Sequence, residues 1–370
     1  MPRAAVFSTN FLDYSQTFVH QEVTHHQRYQ VEVFCRTRMY EERFPFAPVH
    51  VGGSMYGLTR HSAAFHRTLA SGNFDVVYGH FGTGSLYALP YARAHALPLV
   101  VTFHGYDVPL LTSRSRFLPQ NWLYALLAPG LLRTMTLGLC ASRELLELLV
   151  QAGVSRERLR LYQLGIDLSA FRRAARGPVP RIAMIGRFVE KKGFEYGLRA
   201  FASCLARGIR AELVLVGAGE REASYRALAA DLLISEHVRF AGVLAPAAVA
   251  ALLSETDVLM APSVVGAGGD RESGVIVVKE ASASQVAVIG SEHGGIPEII
   301  DEGRTGFLVP ERDVAALSER LSMLLADRAL AERFGAEGRA KMEREYDLSS
   351  RVQALEAHYD EAIALKRAGR

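Results

Sequence analysis

Short apolar runs recur along this chain, and most give way to glycine or polar positions and then to a stretch with helical spacing. Residues 4–8 predict a first strand and residues 31–35 a second. Between them, Thr17 stands where it would cap a helix reaching about Arg28. Asp75-Val-Val-Tyr-Gly-His-Phe-Gly82 reads as a strand running into a glycine turn, and residues 98–103, 136–140 and 158–162 as further strands, with a helix from about Ser142. Residues 172–180, with one glycine, two prolines and three arginines, read as a linker. The alternation then resumes with strands expected over residues 181–186, 213–216, 237–242, 257–263 and 286–289. Helical patterns fill residues 313–344 and 348–366, the last with Val352, Leu355, Tyr359, Ile363 and Leu365 at roughly helical spacing. Strand, loop, helix, strand is how a doubly wound α/β domain is built, so two such domains are expected, over residues 1–168 and 169–345.

Length agrees, since 370 residues suffice for two domains of ordinary size. Hydrophobic content of 49% and charged content of 22% are globular values. No uncharged apolar run reaches the length of about 18 residues needed to span a bilayer. The first residues enter a strand pattern without the apolar core of a signal peptide. Cys35, Cys140 and Cys204 match no metal spacing, and so sparse a set points to a reducing, cytoplasmic setting. Charge is uneven: residues 1–168 hold fifteen arginines, no lysine and eleven acids, for a net +4, while the remainder is −1. A basic first half suits an anionic surface or a phosphorylated partner, and a solvated surface explains it equally well. Gly82-Thr-Gly84 and Gly217-Ala-Gly219 lack the third glycine of a dinucleotide fingerprint, and no Walker lysine follows either.

The chemistry is concentrated in one stretch. Asp257-Val-Leu-Met-Ala-Pro-Ser263 leads through a glycine-rich segment to Glu272 and Glu280, eight positions apart, and then to the turn His293-Gly-Gly-Ile-Pro-Glu298. Glutamates so spaced, followed by Gly-Gly-x-Pro-Glu, resemble the donor-binding half of retaining, nucleotide-sugar-dependent glycosyltransferases of the GT-B fold, family 4. Upstream, Gly186-Arg187 followed by Lys192-Gly193 resembles the same family, as do Gly165-Ile166-Asp167, the exit Val243-Leu244, and His104-Gly105 at a predicted strand end.

That resemblance implies an α/β, GT-B fold of two Rossmann-like domains, with the active site in the interdomain cleft and a terminal helix, residues 346–370, crossing back to the first domain. Residues 275–278 have strand propensity, yet the family starts a helix there, and the following Lys-Glu-Ala-Ser-Ala-Ser favours one. By the same likeness Arg187 and Lys192 stabilise the departing diphosphate, and His104 and Glu272 orient the transferred sugar. Glu280 suits the ribose hydroxyls, because a carboxylate accepts hydrogen bonds and repels phosphate. Gly186, Val243, Leu244, Ser273, Gly274, Val275 and Ile276 complete the expected donor site. Ser15, Gln16 and Thr17 form the cleft loop, and His80 stands behind His104. Ser273 replaces a common glycine, and Lys279 occupies a position that is apolar in the family.

The implied activity is hexosyl transfer from a nucleoside-diphosphate sugar to a saccharide or lipid-linked acceptor, without nucleic acid, cofactor or metal. No two aspartates lie two positions apart, as a metal-holding Asp-x-Asp pair would. An epimerase or hydrolase on the same fold, or a non-catalytic nucleotide-sugar binder, stays open. Residues 109–135 break the regular pattern: Arg114, Arg116 and Arg133 flank Phe117, Leu118, Trp122, Leu123, Tyr124 and Leu127. Such a mixture suits either a core helix or peripheral contact with the inner face of an anionic membrane.

Overall fold

A computed structural model describes residues 1–12, 16–112, 118, 121–267 and 269–369. The chain divides into two compact units, Met1–Gly165 with Leu348–Arg370, and Ile166–Asp347.

Unit 1 contains β1 (Arg3–Phe11), β2 (Gln30–Arg38), β3 (Val49–Val51), β4 (Val76–His80), β5 (Leu99–Phe103), β6 (Leu137–Cys140) and β7 (Leu159–Leu161). They pair in parallel in the order β3-β2-β1-β4-β5-β6-β7. Every residue of β4, β5 and β6 is buried, which explains why these strands read as continuous apolar runs rather than as alternation. One core is aromatic: Phe34 stacks on Phe7 at 5.0 Å and meets Phe65 edge-on at 5.1 Å. The helix Leu348–Arg367 belongs to this unit, with Tyr359 fully buried 5.3 Å from the Tyr78 ring.

Unit 2 contains β8 (Arg181–Ile185), β9 (Glu212–Val216), β10 (Val238–Gly242), β11 (Val258–Ala261), β12 (Ala287–Ser291) and β13 (Gly306–Val309), parallel in the order β10-β9-β8-β11-β12-β13. Strand order reverses at β1/β4 in unit 1 and at β8/β11 in unit 2. Both units are therefore doubly wound, and ligands of such sheets bind beyond the strand C-termini at the reversal.

Four local expectations are corrected or settled. Thr17 does not cap its helix: Gln16 holds the cap position without a side-chain bond, and the helix is Thr17–Thr24. It stops short of Arg28 because the Glu356 carboxylate takes the backbone N–H groups of Gln27 and Arg28, each at 2.8 Å, in place of helical carbonyls. The pattern over residues 313–344 is two helices, Val314–Ala326 and Arg328–Glu345. Asp327 leaves the helical path between them and accepts the Leu330 N–H at 2.9 Å. Residues 276–278 do open a helix, Ile276–Ala283, over the strand propensity of their side chains.

Residues 172–180 are no free linker. Asp257, 8% exposed, gathers Arg176 Nε at 3.0 Å, Arg173 Nη2 at 3.5 Å and the Arg181 N–H at 2.8 Å, so the segment is fastened to unit 2. Removing one partner of a buried ion pair costs about 3–5 kcal/mol. Asp257→Ala is expected to lose stability on that scale and to open tryptic cleavage after Arg173 or Arg176. A variant as trypsin-resistant as wild type would show that the segment is held elsewhere.

Candidate active site

The expected donor residues of unit 2 all lie beyond the C-terminal ends of strands. Gly186 and Arg187 follow β8, Val243 and Leu244 follow β10, and Glu272 to Ile276 lie in the β11 crossover. Glu272 is 7% exposed, its Oε2 lies 2.8 Å from Lys192 Nζ, and its Oε1 lies 3.5 Å from Lys191 Nζ. Burial alone would push its carboxyl up, but the two lysines outweigh burial and hold it at about 2. Lys191 also reaches Asp270 at 3.0 Å and the Arg271 carbonyl at 3.2 Å, fixing the approach to Glu272. Arg187 is exposed, with no ion-pair partner among the described residues.

Two glycines place these groups. Gly193 has φ +63°, and a Cβ there would stand 1.9 Å from the Pro262 carbonyl oxygen, which fixes the turn after Lys192. Gly294, at φ +58°, would put a Cβ 2.0 Å from the Glu272 carbonyl oxygen, so the Gly-Gly turn is packed directly on the Glu272 backbone. His293 fastens the same contact. Its Nε2 accepts the Glu272 N–H at 3.0 Å, which leaves the proton on Nδ1 to be donated to Glu311 Oε1 at 2.7 Å. Glu311 Oε2 in turn accepts the Val265 N–H at 2.9 Å.

Glu280 lies on the helix Ile276–Ala283, partly buried, and its carboxyl makes no side-chain hydrogen bond among the described residues; desolvation lifts it to about 7. Val275 precedes that helix at φ 31°, a left-handed conformation that is rare for a β-branched residue. Ser273 is buried, while Gly274 and Ile276 are half-buried. Lys279, 1% exposed, holds its Nζ 4.6 Å from the centre of the Tyr346 ring, so an aromatic face receives the cation.

In unit 1, His104 follows β5 as expected and lies among Phe81 at 4.4 Å and Phe18 at 5.1 Å between ring centres. Asp107 ties its loop to the neighbouring one, accepting the N–H groups of Gly82 at 2.8 Å and Gly105 at 3.1 Å. Desolvation lowers His104 to about 3, so the ring is neutral at physiological pH. His104 Nε2 lies 3.2 Å from Nδ1 of the fully buried His80. Gln16 has a buried side-chain oxygen without a partner among the described residues, and Thr17 is the first helical residue; Ser15 lies outside the described residues.

Residues 167–341 match the family described as Glycosyl transferases group 1, and residues 20–170 match Glycosyltransferase Family 4. The amylovoran biosynthesis glycosyltransferase AmsK of Erwinia amylovora is 30% identical over 279 residues, which cover 74% of this chain and 67% of AmsK. The chain belongs to the glycosyl transferases group 1 family. WcaL of Salmonella typhimurium, named a colanic acid biosynthesis glycosyltransferase, is 29% identical over 253 residues; the match spans 67% of this chain and 61% of WcaL. Phosphatidyl-myo-inositol mannosyltransferase of Mycobacterium tuberculosis is 30% identical over 319 residues, 82% of this chain and 78% of that protein. Anabaena HepE, solved in complex with UDP and glucose, has the same fold at a TM-score of 0.78 and 17% identity, covering 98% of this chain and 100% of that chain.

Within this group 1 chain, motif and strand position marked His104, Arg187, Lys192, Glu272 and Glu280. They did not mark Lys191, His293 or Glu311, nor Glu22 on the helix Thr17–Thr24. Lys191 stands beside a residue that was chosen, and His293 opens the turn that was quoted, so their positions were in view but their contacts were not.

The Glu272 carboxyl holds its proton less tightly folded than unfolded, so its ion pair stabilises the fold fully above about pH 4.5 and loses that effect as pH falls toward 2. Lys192→Ala is expected to destabilise the protein by about 1–3 kcal/mol near pH 7. In urea titrations the deficit should shrink from about pH 5 downward. A deficit independent of pH would mean that Lys192 acts through packing alone.

Proposed function

We propose that this chain is a retaining, metal-independent glycosyltransferase that moves a hexose from a nucleoside-diphosphate sugar to a saccharide or lipid-linked saccharide acceptor in glycan biosynthesis. The observation that carries this reading is the buried, ionised Glu272 held by Lys191 and Lys192 beyond the β8/β11 reversal, with the exposed Arg187 following β8. An ionised carboxylate can only accept, which suits sugar hydroxyls, while exposed or half-exposed cations suit a diphosphate. HepE was solved with UDP and glucose, AmsK is named for amylovoran, and the mycobacterial relative for a phosphatidyl-myo-inositol acceptor. These names support the donor and acceptor classes assigned here.

Arg187 and Lys192 stabilise the charge that develops on the departing diphosphate. Glu272 and the neutral His104 take sugar hydroxyls, and Glu280 takes the ribose diol. With two lysines on it, Glu272 is a weak nucleophile, which favours direct attack by the acceptor over a glycosyl-enzyme intermediate. The acceptor oxygen then bonds to the anomeric carbon on the face that the diphosphate leaves, and a phosphate oxygen takes the acceptor's proton. Arg187 and Lys192 supply the charge that a divalent metal supplies in other transferases.

Arg187 is exposed, so Arg187→Ala is expected to change stability by less than about 0.5 kcal/mol while lowering turnover by about 10²–10³-fold. Glu280→Ala is expected to weaken donor binding and to spare kcat, because ribose contacts are the same before and during transfer. Nucleotide release from a panel of nucleoside-diphosphate sugars, with and without acceptor and with and without chelator, tests the whole reading. Acceptor-dependent release that survives chelator supports it. Free sugar from donor alone would mean hydrolysis, and activity abolished by chelator and restored by magnesium would overturn metal independence.

The helix Trp122–Thr134 bears on the acceptor. It buries Tyr124, Ala128 and Leu131 and turns Trp122, Leu123 and Leu126 outward at 58%, 49% and 65% exposure, with Arg133 exposed in its last turn. Tyr124 thus belongs to the core, not to the outer face, and Arg114, Arg116 and Phe117 lie outside the described residues. Among the described residues no helix is long and apolar enough to cross a membrane. We propose that the outward stripe rests on an anionic lipid surface, where each nearby cation contributes about 1 kcal/mol. Binding to anionic vesicles is expected to be reversible, to shift Trp122 fluorescence, and to be lost in high salt and in the double variant Leu126→Glu, Arg133→Glu. No spectral shift and no co-sedimentation at low salt would leave the stripe as plain solvent-facing surface.

A further inference from the structure

Behind His104 runs a buried chain of groups that the proposed reaction does not itself use. His80 Nδ1 lies 3.2 Å from His104 Nε2, and His80 Nε2 lies 3.2 Å from Glu22 Oε1, a close electrostatic pairing rather than a well-aligned hydrogen bond. Glu22 is 2% exposed and His80 fully buried. Glu22 accepts the Tyr78 hydroxyl on Oε1 at 3.0 Å and the Tyr162 hydroxyl on Oε2 at 2.9 Å. The Tyr78 hydroxyl also lies 2.8 Å from Thr102 Oγ1, so it has a second acceptor within reach. At the far end, Nδ1 of His104 is buried and has no hydrogen-bonding partner among the described residues.

We propose that Glu22, acting through His80, sets which ring nitrogen of His104 carries the proton. An ionised Glu22 repels a lone pair at 3.2 Å, so His80 Nε2 carries the proton and His80 Nδ1 presents its lone pair. His104 must then donate from Nε2, and its Nδ1 is an acceptor. When Glu22 takes up a proton on Oε1, that proton faces His80 Nε2, and the Tyr78 hydroxyl turns to Thr102. Every later proton reverses: His80 donates from Nδ1, His104 accepts at Nε2, and Nδ1 of His104 becomes a donor. One proton is added to Glu22, each imidazole keeps one, and neither ring is charged in either state.

The surroundings allow Glu22 to titrate in the relevant range. Burial raises its carboxyl to about 7 against the two tyrosine hydrogen bonds, which lower it. The groups around it are Tyr78 and His80 of β4, Thr102 of β5, Tyr162 after β7, and Tyr359 and Glu356 of the C-terminal helix, with His26 beyond the end of its own helix. Arg351 stands over the Tyr162 ring at 5.3 Å. Burial keeps His80 and His26 below the usual imidazole range, so Glu22 is the member of the chain that changes charge near neutrality. This makes Glu22 and His80 positioning residues for His104, and the proposal rests on His104 meeting the donor sugar only for its effect on rate.

The test is nitrogen NMR of protein labelled with ¹⁵N-histidine, read about one and a half units either side of pH 7. The His104 proton is expected on Nδ1 at the acid end and on Nε2 at the alkaline end. Glu22→Gln is near-isosteric and offers an amide proton to His80 Nε2, so it should hold His104 in the Nδ1-protonated form throughout. Tyr162→Phe removes a hydrogen bond that favours the carboxylate, so the changeover should move to higher pH. Glu280, also lifted to about 7, adds its own step to kcat/KM in every variant, so the Glu22 step is read with Glu280→Gln as the common background. There it should vanish on adding Glu22→Gln and move upward on adding Tyr162→Phe. A His104 tautomer that ignores both pH and Glu22→Gln overturns the proposal. A tautomer that follows Glu22 while kcat/KM does not upholds the coupling and overturns instead the placement of His104 at the sugar.

Discussion

A parallel strand cannot return to its neighbour by a tight turn. Each crossover carries the chain back to the same edge, so every segment that leaves a strand starts from one side of the sheet. In unit 2 that constraint gathers Gly186-Arg187, Val243-Leu244, the Glu272 segment and His293 beyond the ends of β8, β10, β11 and β12. In unit 1 it sets the ends of β4 and β5 side by side, with His80 paired to Thr102 in register, and so brings His80 against His104. The chemistry-bearing residues are scattered in sequence because they are spaced by crossovers. They converge because the crossovers share a direction.

Burial has opposite outcomes at the carboxyls of Glu272 and Glu22. Glu272 is surrounded by cations, and Lys191 and Lys192 overcome the desolvation that would neutralise it. It stays charged through the physiological range. Glu22 has only hydroxyls and a buried imidazole, and hydrogen bonds from Tyr78 and Tyr162 do not offset its burial. His104 is neutral for the same reason: nothing near it repays the cost of charging a ring among Phe18 and Phe81. Glu280 of unit 2, with no cation paired to it among the described residues, is lifted to about 7 as Glu22 is, so the neighbouring cations and not the unit decide which carboxyl stays charged.

Much of this was legible from the chain. The apolar runs marked the strands, and Glu272, Glu280 and the Gly-Gly turn marked one site because their spacing is local. The physical reason for that spacing shows only in three dimensions: Gly294 packs on the Glu272 carbonyl while His293 takes its N–H. Glu22 was illegible because its partners, Tyr78, His80 and Tyr162, come from other strands and carry no periodic signal. The linker was misread because glycine, prolines and arginines are also what a segment needs to lie against a buried aspartate such as Asp257. The first helix was drawn too long, to Arg28, because a terminal-helix carboxylate, Glu356, decides where it stops.

Backbone strain lies beside both halves of the chemistry. Phe81, at φ 61°, separates His80 from Gly82, and Val275, at φ 31°, separates Gly274 from the helix bearing Glu280. Each such conformation costs about 1–3 kcal/mol in a residue with a side chain. Glycine would avoid that cost, but Val275 is 5% exposed and the Phe81 ring lies 4.4 Å from His104. Full burial of a valine stabilises by about 1.5–3 kcal/mol, and the half-buried Phe81 gains less than a fully buried ring would. Neither gain exceeds the strain by much, so neither residue is there for net stability. Their side chains confine the adjoining loops to one path, whereas glycine would leave several open. Strain at these positions is therefore the cost of defining where His104 and the helix of Glu280 begin, and it falls where crossovers leave the two sheets.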